Sequence, residues 1–346
     1  MTQSSWWQPH IHADRRAALL ARGRIKRALR GRFEGEGFTE VECGALAASP
    51  GNEAHLHAFS TELIGTDATR RTVYLHTSPE FAAKKLLAAG EMRIFDFARV
   101  FRNREQTATH IPEFTMLEWY RANESYDAVI TDCLDVLRLA ADTAGMKMFS
   151  FKGHECDPRA EAQRLTVAGA FMHHAGIDLL KTLLPGRQND RARLAYAAKR
   201  VGFDVAENDN WADIFSKVLV ARVEPNLGIG CPTILYEYPR SEAALARASA
   251  HDPRVAERFE LYVCGVELAN GFGELTDPVE QRKRFQTEMD EKERVYGERY
   301  PIDEDFLEAL SHMPPASGVA LGFDRLVMLA TGARNLNDVI WTPAPE

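Results

Sequence analysis

The stretch RIFDFARVFRNREQTATHIPEFTMLEWYRA (93–122) decides the fold. Two runs rich in Phe, Ile, Val, Trp and Tyr, 93–101 and 114–122, flank a polar connection. That pattern predicts two antiparallel strands. Other strand-like runs also fall side by side: RFELYVCG (258–265) directly precedes VELANGFGEL (266–275). VYLHT (73–77) and PTILYEYP (232–239) add further strands. Helical patterns do not alternate with single strands at a steady period. The chain therefore reads as α+β, an antiparallel sheet flanked by helices, rather than a doubly wound parallel sheet.

The helices follow from caps and periodicity. Asp14 caps a helix running to about Phe33, with Ile25, Leu29 and Phe33 on one face and Gly35 and Gly37 ending it. Its eight Arg/Lys residues between Arg15 and Arg32 read as a solvated basic face, or as a dock for an acidic partner. Ser78 caps a second helix, with Pro79 at its first position and Gly90 as its stop. Residues 126–146, 278–297 and 323–333 form further helices, and 151–225 reads as mixed and mostly helical.

At 346 residues the chain can bury a sizeable core. A net charge of −8 argues against a whole-surface nucleic-acid binder, so any RNA contact must be local. No apolar run approaches the ~18 residues of a spanning helix, and the start, MTQSSWWQPHIHADRR, has no apolar signal core. The five scattered cysteines include no C-x-x-C pair, so reduced thiols and a cytoplasmic protein are expected.

Four segments could carry chemistry. Strand alternation in PEFTMLEWYR puts Phe114, Met116, Glu118 and Tyr120 on one face. A carboxylate among aromatics is costly unless paired. The face is either a wet edge or a pocket floor where Glu118 and Tyr120 hold a cationic ligand. Arg102 opens the polar loop that contains Arg104, Glu105 and His110. Its planar fork suits a phosphate or carboxylate, though a surface salt bridge explains it equally. Glu260, Glu267 and Glu274 recur seven apart across a hairpin turning near Cys264-Gly265, and Gly271 marks a bulge or a close ligand approach. Such an oxygen-only set suits Mg²⁺ with phosphates, or an ammonium group. In SGVALGFDRLVMLATG (317–332), Gly318 and Gly322 suggest a tight loop before a helix whose first turn carries Arg325. The pairs HIH (10–12), HLH (55–57) and HH (173–174) lack zinc-ligand spacing.

Together these segments resemble the catalytic core of class II aminoacyl-tRNA synthetases of the lysyl branch. FRNRE…PEFTMLEWY looks like that family's second signature and GVALGFDRLVML like its third. TSPEF (77–81), PTILYEYP, RVAERFELYVCG (254–265) and ELANGFGELTD (267–277) look like its lysine-site segments, in the same order, from about residue 15 to 340. More narrowly, the chain is similar to the stand-alone members that modify elongation factor P. The SWWQP opening (5–9) and SGVALG look like theirs. The resemblance implies a single catalytic domain over 1–346 without an N-terminal anticodon-binding barrel, a homodimer, and ATP with Mg²⁺. It implies activation of lysine, more specifically (R)-β-lysine, as an adenylate, and transfer to a lysine ε-amine of elongation factor P.

The roles it implies are specific. Arg102 would hold the α-phosphate and the substrate carboxylate, and Phe114 would stack on adenine with Arg325 against its other face. His110 would lie near the outer phosphates, with Arg104 and Glu105 beside the nucleotide. Glu260 and Glu267 would ligate Mg²⁺, Glu267 also belonging to the ATP site. Ser78 and Glu80 would contact the substrate, Glu80 at its backbone amine, while Glu118, Tyr120, Asn270 and Glu274 line the side-chain pocket. Ala320 stands where true lysyl-tRNA synthetases carry glycine, so its methyl would crowd α-lysine. The chain departs from the pattern at Arg104 (usually Glu), Ile111 (usually Asn), Phe81 (Tyr) and Gly44 (Pro). Two other readings stand beside this one. One is a ligase that charges tRNA or another RNA, which the acidic net charge and the missing barrel oppose. The other is a non-catalytic regulator, which Arg104 favours and the retained Arg102, Glu260, Glu267, Glu274 and Arg325 oppose.

Overall fold

A computed structural model describes residues 6–184 and 188–343, so Ser5 of the SWWQP stretch and the first residues of the chain lie outside the described residues. The chain divides into two compact units. One comprises the residues up to Glu124, Val136–Met146 and Thr276 onward; the other comprises Ser125–Asp135 and Lys147–Leu275.

In the first unit the strands lie in the order Thr39–Glu40, Arg93–Phe101, Glu113–Ala122 and Ala316–Gly322. The two long pairings are antiparallel, and Thr39–Glu40 adds a parallel edge. SGVALG is thus a strand and not the expected loop. It pairs along its whole length with Glu113–Ala122, which satisfies the backbone that a loop would have left to solvent. The register places Asp96 and Ala320 directly across from Glu118 on either side, Gly318 across from Tyr120, and Gly322 across from Met116. Opposed residues share a face. The face bearing Glu118 is therefore flanked on one side by Gly, Ala and Gly.

The other face carries Phe95, Leu117 and Trp119, all buried. They pack on the helix Pro9–Gly35 through Phe33, whose ring lies 5.0 Å from Phe95 and 5.3 Å from Trp119. This helix starts at Pro9 rather than at the expected Asp14 cap, because proline's fixed φ suits the first helical turn. Nor is its basic face wholly solvated: Arg15 and Arg22 are buried. Arg22 pairs with Asp324 and donates to Thr115 Oγ1 (2.9 Å), while Asp324 accepts from the Thr115 N–H (2.8 Å). Arg22→Ala would leave the Asp324 carboxylate, 2% exposed at its side chain, without this partner. A loss of about 3–5 kcal/mol is expected in urea unfolding; a loss under about 1 kcal/mol would sink this account.

In the second unit the strands run in the order Val266–Gly273, Val255–Val263, Thr233–Pro239 and Gln163–Thr166. The first two form the expected hairpin, turning on Cys264 and Gly265, both at positive φ (53° and 72°) as a two-residue turn requires. Helices from the 151–225 region cover the unit's core, where Phe215 stacks on Phe171 (5.0 Å) and Trp211 (5.2 Å). That region also holds a small strand pair at its edge, Phe149–Phe151 with His154–Cys156. All five cysteines are free thiols. Among the described residues, no helix is long and apolar enough to cross a membrane.

Candidate active site

Glu118 is 1% exposed on a sheet face, which is the costly arrangement that demands partners. It has them: Ser78 Oγ donates to Oε1 (2.5 Å) and the Tyr120 hydroxyl to Oε2 (2.8 Å). Ser78 does so from just before the helix Glu80–Ala88, where its Oγ also accepts from the Glu80 N–H (3.0 Å). Pro79 rather than Ser78 occupies the cap position, one residue later than expected. Burial foremost, then the Glu80 carboxylate, push the Glu118 carboxyl up to about 8, against the two hydroxyls that favour its charged form. Buried Asp96 lies across from it on the neighbouring strand. The face thus brings two buried acids together beside small residues.

The same unit gathers the residues expected around a nucleotide. The Arg102 guanidinium lies 5.4 Å from the centre of the Phe114 ring, and its Nε donates to the Thr77 carbonyl (3.2 Å). Arg325, in the first turn of the helix Phe323–Thr331, donates from Nε to the Thr109 carbonyl (3.0 Å) and meets His110 Nε2 at 2.8 Å. Burial, then Arg325 and Arg102, hold the His110 imidazole down at about 4, so it is neutral at pH 7. Two arginines around a neutral histidine leave a positive site suited to anions.

Arg104 is turned elsewhere. Exposed and at φ 63°, it pairs with Glu298, which also meets His57 Nδ1 at 3.0 Å. Glu105 is half-buried in the same loop.

In the second unit the register explains the acidic hairpin. Glu260 stands across from Asn270 and Tyr262 across from Glu267, with Leu268 as one extra residue. The bulge is thus at Leu268 and not at Gly271, for which a bulge is one of the two expectations. It flips the parity of what precedes it, bringing Glu267 onto the face of Asn270, Phe272 and Glu260. The Glu260 carboxylate accepts from Arg258 (2.6 Å), Tyr238 (2.5 Å) and Tyr262 (2.7 Å). Arg258 lies 4.2 Å over the Tyr238 ring and also donates to Asn270 Oδ1 (3.3 Å). Glu274, 2% exposed, bridges to Ala246.

Comparison with known proteins agrees with this arrangement. The family model "tRNA synthetases class II (D, K and N)" matches residues 7–345. The chain belongs to that family. Its similar relatives include the elongation factor P–(R)-β-lysine ligases of Pectobacterium carotovorum (40% identical over 346 residues, 98% of each chain) and Yersinia enterocolitica (39% over 347 residues, 99% of each). That of Histophilus somni is 38% identical over 342 residues, 98% of each chain.

As a class II synthetase, the chain would use Mg²⁺ with its nucleotide, and the donors can be tested for fit. Among the described residues no three carboxylates, histidines or cysteines form a metal cage. Glu260 already accepts three hydrogen bonds, leaving about one of its four lone-pair sites. Glu267, half-buried on the same face, adds a second carboxylate. One or two carboxylates suit an Mg²⁺ that keeps its waters and phosphate oxygens.

Several synthetase residues escaped the sequence reading. Asp96 could have been found as an acid at the Ala98 and Val100 parity of an apolar strand. Lys84 could have been found as the i+4 neighbour of Glu80. Arg258 and Tyr262 could have been found as the same-parity neighbours of Glu260, whereas Tyr238 on Glu260 and Arg22 on Asp324 gave no signal, since each needs a contact distant in sequence.

Proposed function

We propose that this enzyme uses ATP to activate a lysine-type amino acid, (R)-β-lysine in preference to α-lysine, and transfers it to a lysine ε-amine of elongation factor P. The observation that carries the substrate class is the buried Glu118 in its hydroxyl cage, a carboxyl that a substrate ammonium can pair with in place of its proton. The relatives' name supports the β-isomer and the acceptor.

In the first step the substrate carboxylate attacks the α-phosphorus and pyrophosphate leaves. Arg102 and Arg325 would stabilise the charge that builds there, and Phe114 would stack on adenine. His110 would meet the outer phosphates as a neutral donor. Ser78, Glu80, Glu118, Tyr120, Asn270, Glu274 and Ala320 would hold and sort the amino acid. Glu260 and Glu267 would hold Mg²⁺, which neutralises phosphate charge when bound. In the second step the acceptor amine, having lost its proton to water or a carboxylate, attacks the acyl carbon and AMP leaves. Positioning supplies most of the rate. We read the family-matched span as a single catalytic domain, working as a homodimer in the cytoplasm, and Glu105 as flanking the nucleotide, with Arg104 turned to Glu298 instead.

ATP–pyrophosphate exchange with α-lysine and β-lysine, followed by labelled transfer to elongation factor P and to tRNA, tests this reading. Exchange driven by β-lysine and label on the factor are expected. No exchange with either isomer, or label on tRNA alone, would overturn it. Ala320, whose methyl stands across from Glu118, decides between the isomers. Ala320→Gly is expected to lower the β-to-α preference by about 10–200-fold, the range of one methyl group in a pocket. An unchanged ratio would remove Ala320 from substrate choice.

A further inference from the structure

We propose that Lys84 is a positioning residue for amino-acid recognition, its buried ammonium holding the Glu80 carboxylate against the substrate's backbone amine. This rests on the reading of Glu80 as the contact to that amine.

Lys84 is 1% exposed and ranks among the largest fully buried side chains of the chain. It lies one turn beyond Glu80 on the same helix and donates to Glu80 Oε1. The next residue, Lys85, behaves as lysines usually do: it is half-exposed and braces Asp303 (2.9 Å) and Asp305 (2.6 Å). Ala83 and Leu87 make up the rest of the helix's buried side, so the ammonium sits in an otherwise apolar row. Burying an ammonium costs several kcal/mol, and an apolar residue of similar volume often packs as well or better. The ion pair therefore points to function.

Its surroundings name that function. The Glu80 N–H donates to Ser78 Oγ (3.0 Å) and Ser78 donates to Glu118 (2.5 Å), which joins the Glu80 backbone to the cage, while the Glu80 carboxylate is close enough to push the Glu118 carboxyl up. Buried Asp96 adds a third acid. Lys84 ties down one oxygen of Glu80 against this crowding and orients the other for the ligand. Loosening such a tie lowers affinity for any ligand bearing that amine and leaves ligands without it untouched.

The test compares two ligands. Amino-acid-dependent ATP–pyrophosphate exchange gives KM for α-lysine or β-lysine. Inhibition by 6-aminohexanoate, a lysine without its backbone amine, gives a Ki. For Lys84→Met, KM for the amino acid is expected to rise about 10–100-fold, the cost of disturbing one charged hydrogen bond. KM for ATP, kcat and the Ki of 6-aminohexanoate are expected to stay within about threefold. An unchanged lysine KM, or equal weakening of both ligands, overturns the proposal. Should K84M not fold, K84M/E80Q, which removes both members of this ion pair, is compared with E80Q. Equal KM is expected because Lys84 acts through Glu80, and a difference above about fivefold overturns the role. A wild-type enzyme inactive with every lysine isomer sinks the proposed function itself. An active wild type with an unaffected K84M sinks only the role of Lys84.

Discussion

Arg325→Ala is expected to lower kcat/KM for ATP–pyrophosphate exchange by about 10²–10³-fold, or about 2.7–4 kcal/mol, the usual loss for one preorganised charge donor. Arg325 does two things at once. It sits in the first turn of a helix, where free N–H groups already favour anions. It also pins the polar loop through the Thr109 carbonyl and His110. Arg325→Lys keeps the charge but cannot make both contacts, so it is expected to recover only part of the activity. Thermal unfolding of both variants should stay close to wild type, because the buried anchor of this helix is Asp324 with Arg22 and not Arg325. Exchange within threefold of wild type in R325A would remove Arg325 from the reaction.

The second large effect is one of pH. The Glu118 carboxyl is pushed up to about 8, so the empty pocket holds a proton at pH 7. A substrate ammonium needs the carboxylate, so binding must expel that proton. KM for the amino acid should therefore fall about tenfold for each pH unit between 6 and 8 and then level off. Calorimetry at pH 7 in two buffers of different ionisation enthalpy should report nearly one proton released. Glu118→Gln should weaken binding and abolish both the slope and the release; a flat profile in the wild type would contradict this account. The linkage runs the other way for stability. Because the folded carboxyl titrates above its ordinary 4.5, its stabilising contribution is complete below 4.5 and is lost as pH rises through about 8. E118Q should accordingly gain stability over wild type as pH increases, measured by urea unfolding at pH 5 and pH 9.

These effects trace back to features of differing legibility. The strands 93–101 and 114–122 could be read almost residue for residue, because alternating β-branched and aromatic residues around a polar connection are a local signal. The two-residue turn at Cys264-Gly265 was legible for the same reason. SGVALG was not. Two glycines and an alanine carry no strand propensity, and only pairing with Glu113–Ala122 makes them a strand. The bulge at Leu268 was equally silent, since a single extra residue shows only against a partner strand.

The sequence by itself determined the α+β class, the order of the signature segments and most of the side chains proposed for the site, since these depend on local pattern and residue type. Tertiary structure alone decided which of them share a face. It set Ala320 and Asp96 across from Glu118, moved Glu267 onto the side of Glu260, turned Arg104 to Glu298 and buried Lys84 against Glu80. The reason is physical. Register, burial and charge pairing are settled between segments far apart in the chain, where the cost of an unpaired buried charge outweighs any local preference.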